Sequence, residues 1–442
     1  MKIMSWGLFQ KWCITGMFCI ATLSLQAQTV ASPDRDAKWL QDIQVFQDKL
    51  SAHGHKVLFK YGLIVSRGEK DFTKLYPPAT FDAAIASLKA DIPKLSDDEV
   101  TLRLMQIMAS AHVAHNTLWP QGVGFVPHLP LRFYWYSDGL AVDAASQEYA
   151  DALGARVVKI GDNTLDQLLT RVAPYISHEN DLWLHVQAAQ FLREEAVLRH
   201  FDLIGPDGRV AVTLEKPGQP PFTLSVAFAD PMPNLIRLST ALHLPTRLYL
   251  SHQNQNYWHQ YLADSQTLYI QYNKCKDDPK LSFKDFTKQV LAEADAHPIK
   301  RVVLDLRLNG GGDSAVIDPL KNGLDERAKS IGHLYVLIGP NTFSSAVMNA
   351  MDLQHRLHAL ESHRSLKATL VGEPTGGCWN SYGNVQPFVL PNSKISGQYS
   401  TMYFGEKNAA PFTPQPDISA PRTLASDLAG RDAALEAAIA AP

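Results

Sequence analysis

Apolar residues recur at helical spacing early in the chain and in short unbroken runs late in it, and this change of period divides the sequence. Ser32-Pro33-Asp34 supplies a capping residue, a proline at the first helical position and an acidic first turn; Leu40, Ile43, Phe46 and Leu50 then follow three or four apart and predict a helix. A second helix is expected over 81–92, stopped by Pro93. A third begins at the capping-box stretch Ser96-Asp97-Asp98-Glu99 and carries Val100, Leu104, Ile107 and Met108 on one face. Residues 32–118 therefore read as a mainly helical N-terminal region.

Between 121 and 230 the texture turns to β-branched and aromatic runs separated by turn signals: 131–136, 139–142, 156–160, 210–214 and 222–226, with Asp207-Gly208 and Pro217-Gly218 as tight turns and a helix over 165–172. This stretch resembles a PDZ-like module, which would bind extended peptide at a sheet edge; a small β-rich packing domain fits the same pattern. From 235 to 442 short runs of Val, Ile and Leu alternate with helical segments. Strands are expected at 268–272, 301–308, 334–338 and 368–371, and helices at 282–296, 313–329 and 344–360. Near-continuous apolar strands joined by helices imply an α/β fold with a mainly parallel sheet and flanking helices, whose site collects at the carboxyl ends of the strands.

The extreme N-terminus has a different character. Lys2 and Lys11 precede the apolar run Trp12–Leu25, about 14 residues long, and a small-residue stretch follows it, so residues 1–27 read as a signal peptide rather than a lasting span. Its removal takes away two Lys and no acid, leaving 39 basic and 44 acidic side chains, net −5. The expected product is periplasmic or secreted, with no stable membrane span. No dense basic block is present to follow a phosphate backbone, which argues against nucleic acid as a partner. Cys275 and Cys378 remain in the mature chain, as a disulfide or as two buried thiols.

Three segments sit at the expected strand ends. Asp305-Leu-Arg-Leu-Asn-Gly-Gly-Gly-Asp313 places glycines and free amides where a helix opens. Thr342-Phe-Ser344 puts a serine at a helix start, as a cap or as a nucleophile. Gly372-Glu-Pro-Thr-Gly-Gly377 follows the last strand. With Leu390-Pro-Asn-Ser393, Pro416-Asp-Ile418 and Ala429-Gly-Arg-Asp-Ala-Ala-Leu-Glu436, the set resembles the C-terminal processing (tail-specific) protease family over 257–440. The resemblance implies a serine peptidase with no cofactor and no metal, cutting peptides or unfolded protein. Ser344 would be the nucleophile, and the amides of Ser345 and of Gly311 or Gly312 would hold the oxyanion.

The sequence departs from that pattern at the base. The register where tail-specific members keep a Lys holds Cys378, which points instead to the branch similar to the tricorn core and to interphotoreceptor retinoid-binding protein. In the tricorn-like pattern a His arrives from before the PDZ-like part. Here the stretch Val113-Ala-His-Asn-Thr117 places His115 on that position, with Val113 for the usual Asp and Asn116 inserted. The usual acid falls near Ala410, so Asn380 and Tyr382 are the supporting candidates. An imidazole of ordinary pKa, about 6.5, sets the expected titration of activity between about 6 and 7.5. A non-catalytic protein binding apolar ligand or peptide, and an esterase, are the two other readings.

Overall fold

Trp39, Ile43, Phe46 and Leu50 form the inner stripe of the first helix, Pro33–Ser51, and the Trp39 indole N–H donates to Asp97 Oδ1 at 2.7 Å. Leu40, expected on this stripe, is 42% exposed; Trp39 takes the inward place because it reaches Asp97. In this computed structural model the described residues are 32–51, the backbone of 58–59, 75–120, 127–354, 366, 368–405 and 409–442. The segment expected as a signal, 1–27, lies outside them, as do 121–126 of the β-rich stretch and the last turn expected of the helix to 360.

The helices Pro78–Asp91 and Asp97–Ala109 follow, the latter with both arms of the Ser96–Glu99 capping box in place. Seven antiparallel-paired strands then form one sheet, ordered 131–136, 139–145, 156–160, 209–215, 222–227, with 163–164 and 236–237 paired beside them. Gly208 and Gly218 turn these strands at positive φ, 75° and 73°. Three helices cover the sheet: Leu165–Val172, as expected, and Asp181–Phe191 and Glu195–His200, which no apolar stripe announced. Asp181–Phe191 has apolar side chains on nearly every face and is started by the Asn180 side chain, which accepts from the Trp183 amide at 2.8 Å.

The C-terminal part is built on a six-stranded sheet, ordered 257–262, 267–272, 301–305, 333–338, 368–372, 418–419. All neighbours run parallel except the edge strand 257–262, so the α/β arrangement is as expected. Its two faces are packed separately, one around Leu268, Ile270, Val302, Leu304 and Val336, the other around Tyr269, Val303, Tyr335 and Leu337. The third strand ends at Asp305 rather than 308, and the next helix starts at Asp318 rather than 313. Between them Gly311 and Gly312 stand at φ 103° and 136°, which neither strand nor helix permits, and Asp313 N donates to Cys275 O at 2.7 Å.

A hairpin of strands 381–389 and 396–404 joins the two ends of the chain. Its second strand, 396–404, pairs in parallel with the backbone of 58–59 and antiparallel with 117–119. Phe388, Leu390, Ile395 and Tyr399 enter the core of the N-terminal helices. The hairpin turn is held by Asp42, a buried carboxylate of the first helix that accepts the amides of Asn392 and Ser393 at 2.8 and 2.7 Å. No helix among the described residues is long and apolar enough to cross a membrane.

Candidate active site

The turn that carries Ser344 is assembled from three strand ends. Buried Thr342 donates its hydroxyl to Leu306 O at 2.9 Å and accepts the Gly339 amide at 3.0 Å; Phe343 N donates to Asn309 O and Gly377 N to Thr342 O. These bonds hold Ser344 at φ 54°, ψ −127°, a conformation that L side chains rarely adopt. Ser344 precedes the helix Ser345–Leu353, yet its hydroxyl makes no capping bond. The cap reading of this serine therefore fails on the geometry. Tight packing explains the glycines: a Cβ on Gly311 would lie 2.6 Å from the Ser344 Cβ, and one on Gly377 would lie 3.1 Å from Ser344 N.

The Asn309 side chain organises the glycine turn, accepting the Gly311 amide at 2.9 Å and donating to Tyr272 O at 2.8 Å. Gly311 N is thereby occupied. The amides of Gly312 and Ser345 have no acceptor among the described residues. The Ser345 hydroxyl donates to Gly312 O at 2.6 Å and locks the two segments together. Of the two glycines expected as donors, Gly312 is the one left free to act.

His115 reaches the same cavity, of about 370 Å³, which it lines together with Gly312, Ser344, Ser345, Cys378 and Tyr382. Strand pairing carries it there: 117–119 adds to 396–398, and Gln398 Nε2 donates to His115 O at 3.0 Å. The inserted Asn116 is the anchor of this approach. Its Oδ1 accepts from Ser400 N at 2.8 Å, and its Nδ2 donates to Tyr76 OH at 3.1 Å. The imidazole packs on Phe343, ring centroids 4.6 Å apart, and neither ring nitrogen has a hydrogen-bond partner among the described residues. Burial lowers its pKa to about 4. That corrects the range of 6 to 7.5 expected from an ordinary imidazole.

The supporting candidates separate. Tyr382 lines the cavity and packs edge-on against Tyr403 at 5.1 Å. Asn380 lies outside the lining and is used structurally, at φ 61°, with Nδ2 donating to Ala410 O at 3.0 Å. Cys378 occupies the cavity wall as a free thiol, within reach of Asn180 Nδ2 at 3.3 Å and Thr413 Oγ1 at 3.5 Å; burial raises its pKa. Cys275 is likewise buried and free, so the disulfide alternative is excluded. Sequence reasoning missed Trp183, whose indole stacks on Phe343 at 4.2 Å, and the apolar lining of Met348, Trp379, Met402 and Phe404. Long-range packing brings in Trp183, Met402 and Phe404, whereas Met348 and Trp379 stand beside Ser344 and Cys378 in the sequence and went unread.

The motif residues that do not face the cavity build its frame. Asp305 and Asp432 both bind Arg307, and Asp417 accepts from Gln354 Nε2 and from Leu370 N at 2.9 Å. Among the described residues there is no cluster of His, Cys, Asp or Glu able to hold a metal ion.

No family model matches the sequence, and no curated protein matches it. Solved structures do. Mature CPAF complexed with lactacystin aligns with a TM-score of 0.59 at 12% identity, over 89% of this chain and 96% of that one. Mature CPAF alone gives 0.57 at 12% identity, over 89% and 95%. The photosystem II D1 C-terminal processing protease aligns at 14% identity over 91% and 99%, with a TM-score of only 0.36. This chain thus has the fold of mature CPAF, and at such identity the likeness is one of fold.

Proposed function

We propose that the chain is an exported serine peptidase that cuts peptides or unfolded protein segments through an acyl-enzyme at Ser344. One observation carries the reading: a serine held at positive φ, spared from capping, shares a cavity with His115 and with two amides that have no acceptor among the described residues. In the proposed cycle His115 takes the hydroxyl proton as Ser344 Oγ attacks the carbonyl carbon, and the amides of Gly312 and Ser345 receive the oxyanion. The protonated imidazole then gives its proton to the leaving amine. Water repeats the sequence on the ester and frees Ser344. Burial keeps His115 neutral, and so able to accept a proton, at neutral pH.

Two features favour a peptide over a small ester. Among the described residues strand 381–389 pairs only with 396–404, and its first residues, Ser381 to Asn384, line the cavity. Its other edge is the type of backbone to which an extended chain adds as a strand. The lining of Met348, Trp379, Met402 and Phe404 fits an apolar side chain beside the cut bond.

Active-site labelling with a fluorophosphonate tests the reading. Wild-type protein is expected to be labelled at Ser344 and to hydrolyse unfolded polypeptide. Labelling absent from folded protein, together with no hydrolysis of any peptide, favours a binding protein on the same fold; hydrolysis of esters alone favours the esterase. Export is tested by N-terminal sequencing of protein recovered outside the cytoplasm, which is expected to begin beyond residue 27.

A further inference from the structure

The imidazole of a nucleophile–base pair needs a fixed place, and it is ordinarily held by a hydrogen bond from its second nitrogen to a third group. No such bond forms at His115: both ring nitrogens are buried and neither has a partner among the described residues. Packing therefore sets the orientation of the ring, and the surface it rests on is Phe343, the residue before Ser344. Phe343 carries a second ring. The Trp183 indole stacks on it with centroids 4.2 Å apart and planes 21° from parallel, against 4.6 Å and 37° for His115. One face of a phenyl ring has room for one ring at that spacing, so the indole and the imidazole take opposite faces.

Trp183 is itself held against the nucleophile turn. It stands in the first turn of the helix Asp181–Phe191, where Asn180 Oδ1 accepts its amide at 2.8 Å, and Asn180 Nδ2 donates to Gly376 O at 3.1 Å and to Thr413 Oγ1 at 2.9 Å. The neighbouring Gly377 N donates to Thr342 O, which ties that segment to the turn carrying Ser344. A Cβ on Gly376 would lie 3.0 Å from the indole Cε3, so the indole packs directly on this backbone. Its N–H is buried without an acceptor among the described residues, so the flat ring and not a hydrogen bond makes the contact. Trp183 also lines a second cavity, of about 540 Å³, whose wall includes Trp119 and Met232, both substantially exposed; His115 is not part of that wall. The indole and Phe343 thus stand between this cavity and the imidazole.

We propose that Trp183 is a positioning residue for His115: acting through Phe343, it orients the imidazole and closes it off from the second cavity. The inference rests on the peptidase reading, in which His115 is the base. A carboxylate in the orienting place would favour the protonated ring, whereas a ring stack fixes the imidazole and keeps it dry. The ionisable groups that share its cavity are Asp313, Cys378 and Tyr382, and Glu179 Oε1 accepts the amide of Ala114 at 3.4 Å; none of them bonds the imidazole. Loss of the indole admits water toward His115, which then titrates nearer to the ordinary value of an imidazole.

Two measurements on the full-length protein test this together: the rate of fluorophosphonate labelling at pH 7, and NMR titration of the His115 ring, its signal identified by its absence from His115→Gln. Trp183→Ala is expected to be labelled about tenfold or more slowly than wild type, the effect of a displaced base. Its His115 is expected to titrate about one unit or more above the wild-type midpoint of about 4. Trp183→Phe keeps a flat ring on Phe343 and discards the unmatched N–H, and is expected to restore both. Trp183→Leu fills space without a flat face and is expected to label as slowly as Trp183→Ala; it decides the question should the Ala variant not fold. A merely structural Trp183 would lower the thermal transition and leave the His115 midpoint unmoved in every folded variant, which overturns the inference. So does labelling of folded Trp183→Ala or Trp183→Leu at the rate of a labelled wild type. Folded wild type that takes no label instead sinks the peptidase reading, and the inference falls with it.

Discussion

Ser344 is strained because φ 54° with ψ −127° suits glycine, and the strain persists only because Thr342, Asn309 and Gly377 bond the residues around it. Two substitutions separate strain from chemistry. Ser344→Ala keeps the Cβ and the strain, so stability should stay within about 0.5 kcal/mol while labelling and hydrolysis vanish. Ser344→Gly should also abolish both, yet should gain about 1 kcal/mol or more in urea unfolding as the strain is released. A Gly variant no more stable than the Ala variant would show that the elbow is not strained. His115 gives the pH dependence at the same scale. Burial holds its pKa at about 4 in the fold against 6.5 when free. Between those values the unfolded state binds more protons, so stability falls as pH falls from about 6.5 to 4. The base is available above about 4, so kcat/KM should have its acid limb there and be flat by pH 6. An acid limb at 6 to 7 in a pH-rate profile would contradict a buried, neutral His115.

The hairpin 381–404 is the element that makes the site, since it pairs with the strand following His115 while its turn is pinned to the first helix. Asn116 is the joint. Asn116→Ala leaves Ser400 N and one bond of Tyr76 unmatched, which should cost about 1–3 kcal/mol. Because the loss displaces His115 and not the strand edge proposed to take substrate, kcat should drop about tenfold or more with KM little changed. A change confined to KM would place Asn116 in binding instead. The same joint shows where sequence reasoning stops. The helices before residue 110 and the parallel strands were legible because their apolar periods are local. The nucleophile turn was legible as a motif, but not its positive φ, nor which glycine amide is already taken by Asn309. Pairing of 117–119 with 396–398 spans well over half of the chain and leaves no periodic trace. Asn116, which looked like a flaw in the His115 motif, is the residue that this pairing requires.

Across the whole molecule, Asp427 ties the seven-stranded sheet to the C-terminal end of the chain. Arg247 and Arg422 both bind its carboxylate, and Tyr136 of the sheet donates to it at 2.9 Å. The Arg422 guanidinium also stacks on the Tyr134 ring at 3.9 Å. Burial pushes the Asp427 carboxyl up, but the hydrogen bonds and charges of Arg422 and Arg247 outweigh it, and the net shift is downward. A lowered carboxyl contributes stability that is present above its unfolded value and is lost as pH falls through the folded one; the window for Asp427 therefore opens below the ordinary value of 3.8. Asp427→Asn keeps the shape and removes the charge, which takes from the half-buried guanidiniums of Arg247 and Arg422 the carboxylate that both bind. The expected cost is about 3–5 kcal/mol, because removing one partner of a buried ion cluster strands the others. Urea unfolding at pH 7 checks the magnitude. Acid titration of the unfolding midpoint checks the cause: wild type should lose stability below about pH 4 more steeply than the variant, which has no carboxylate left to protonate there. Parallel acid profiles with a small loss at pH 7 would mean that water, and not Asp427, balances the two arginines.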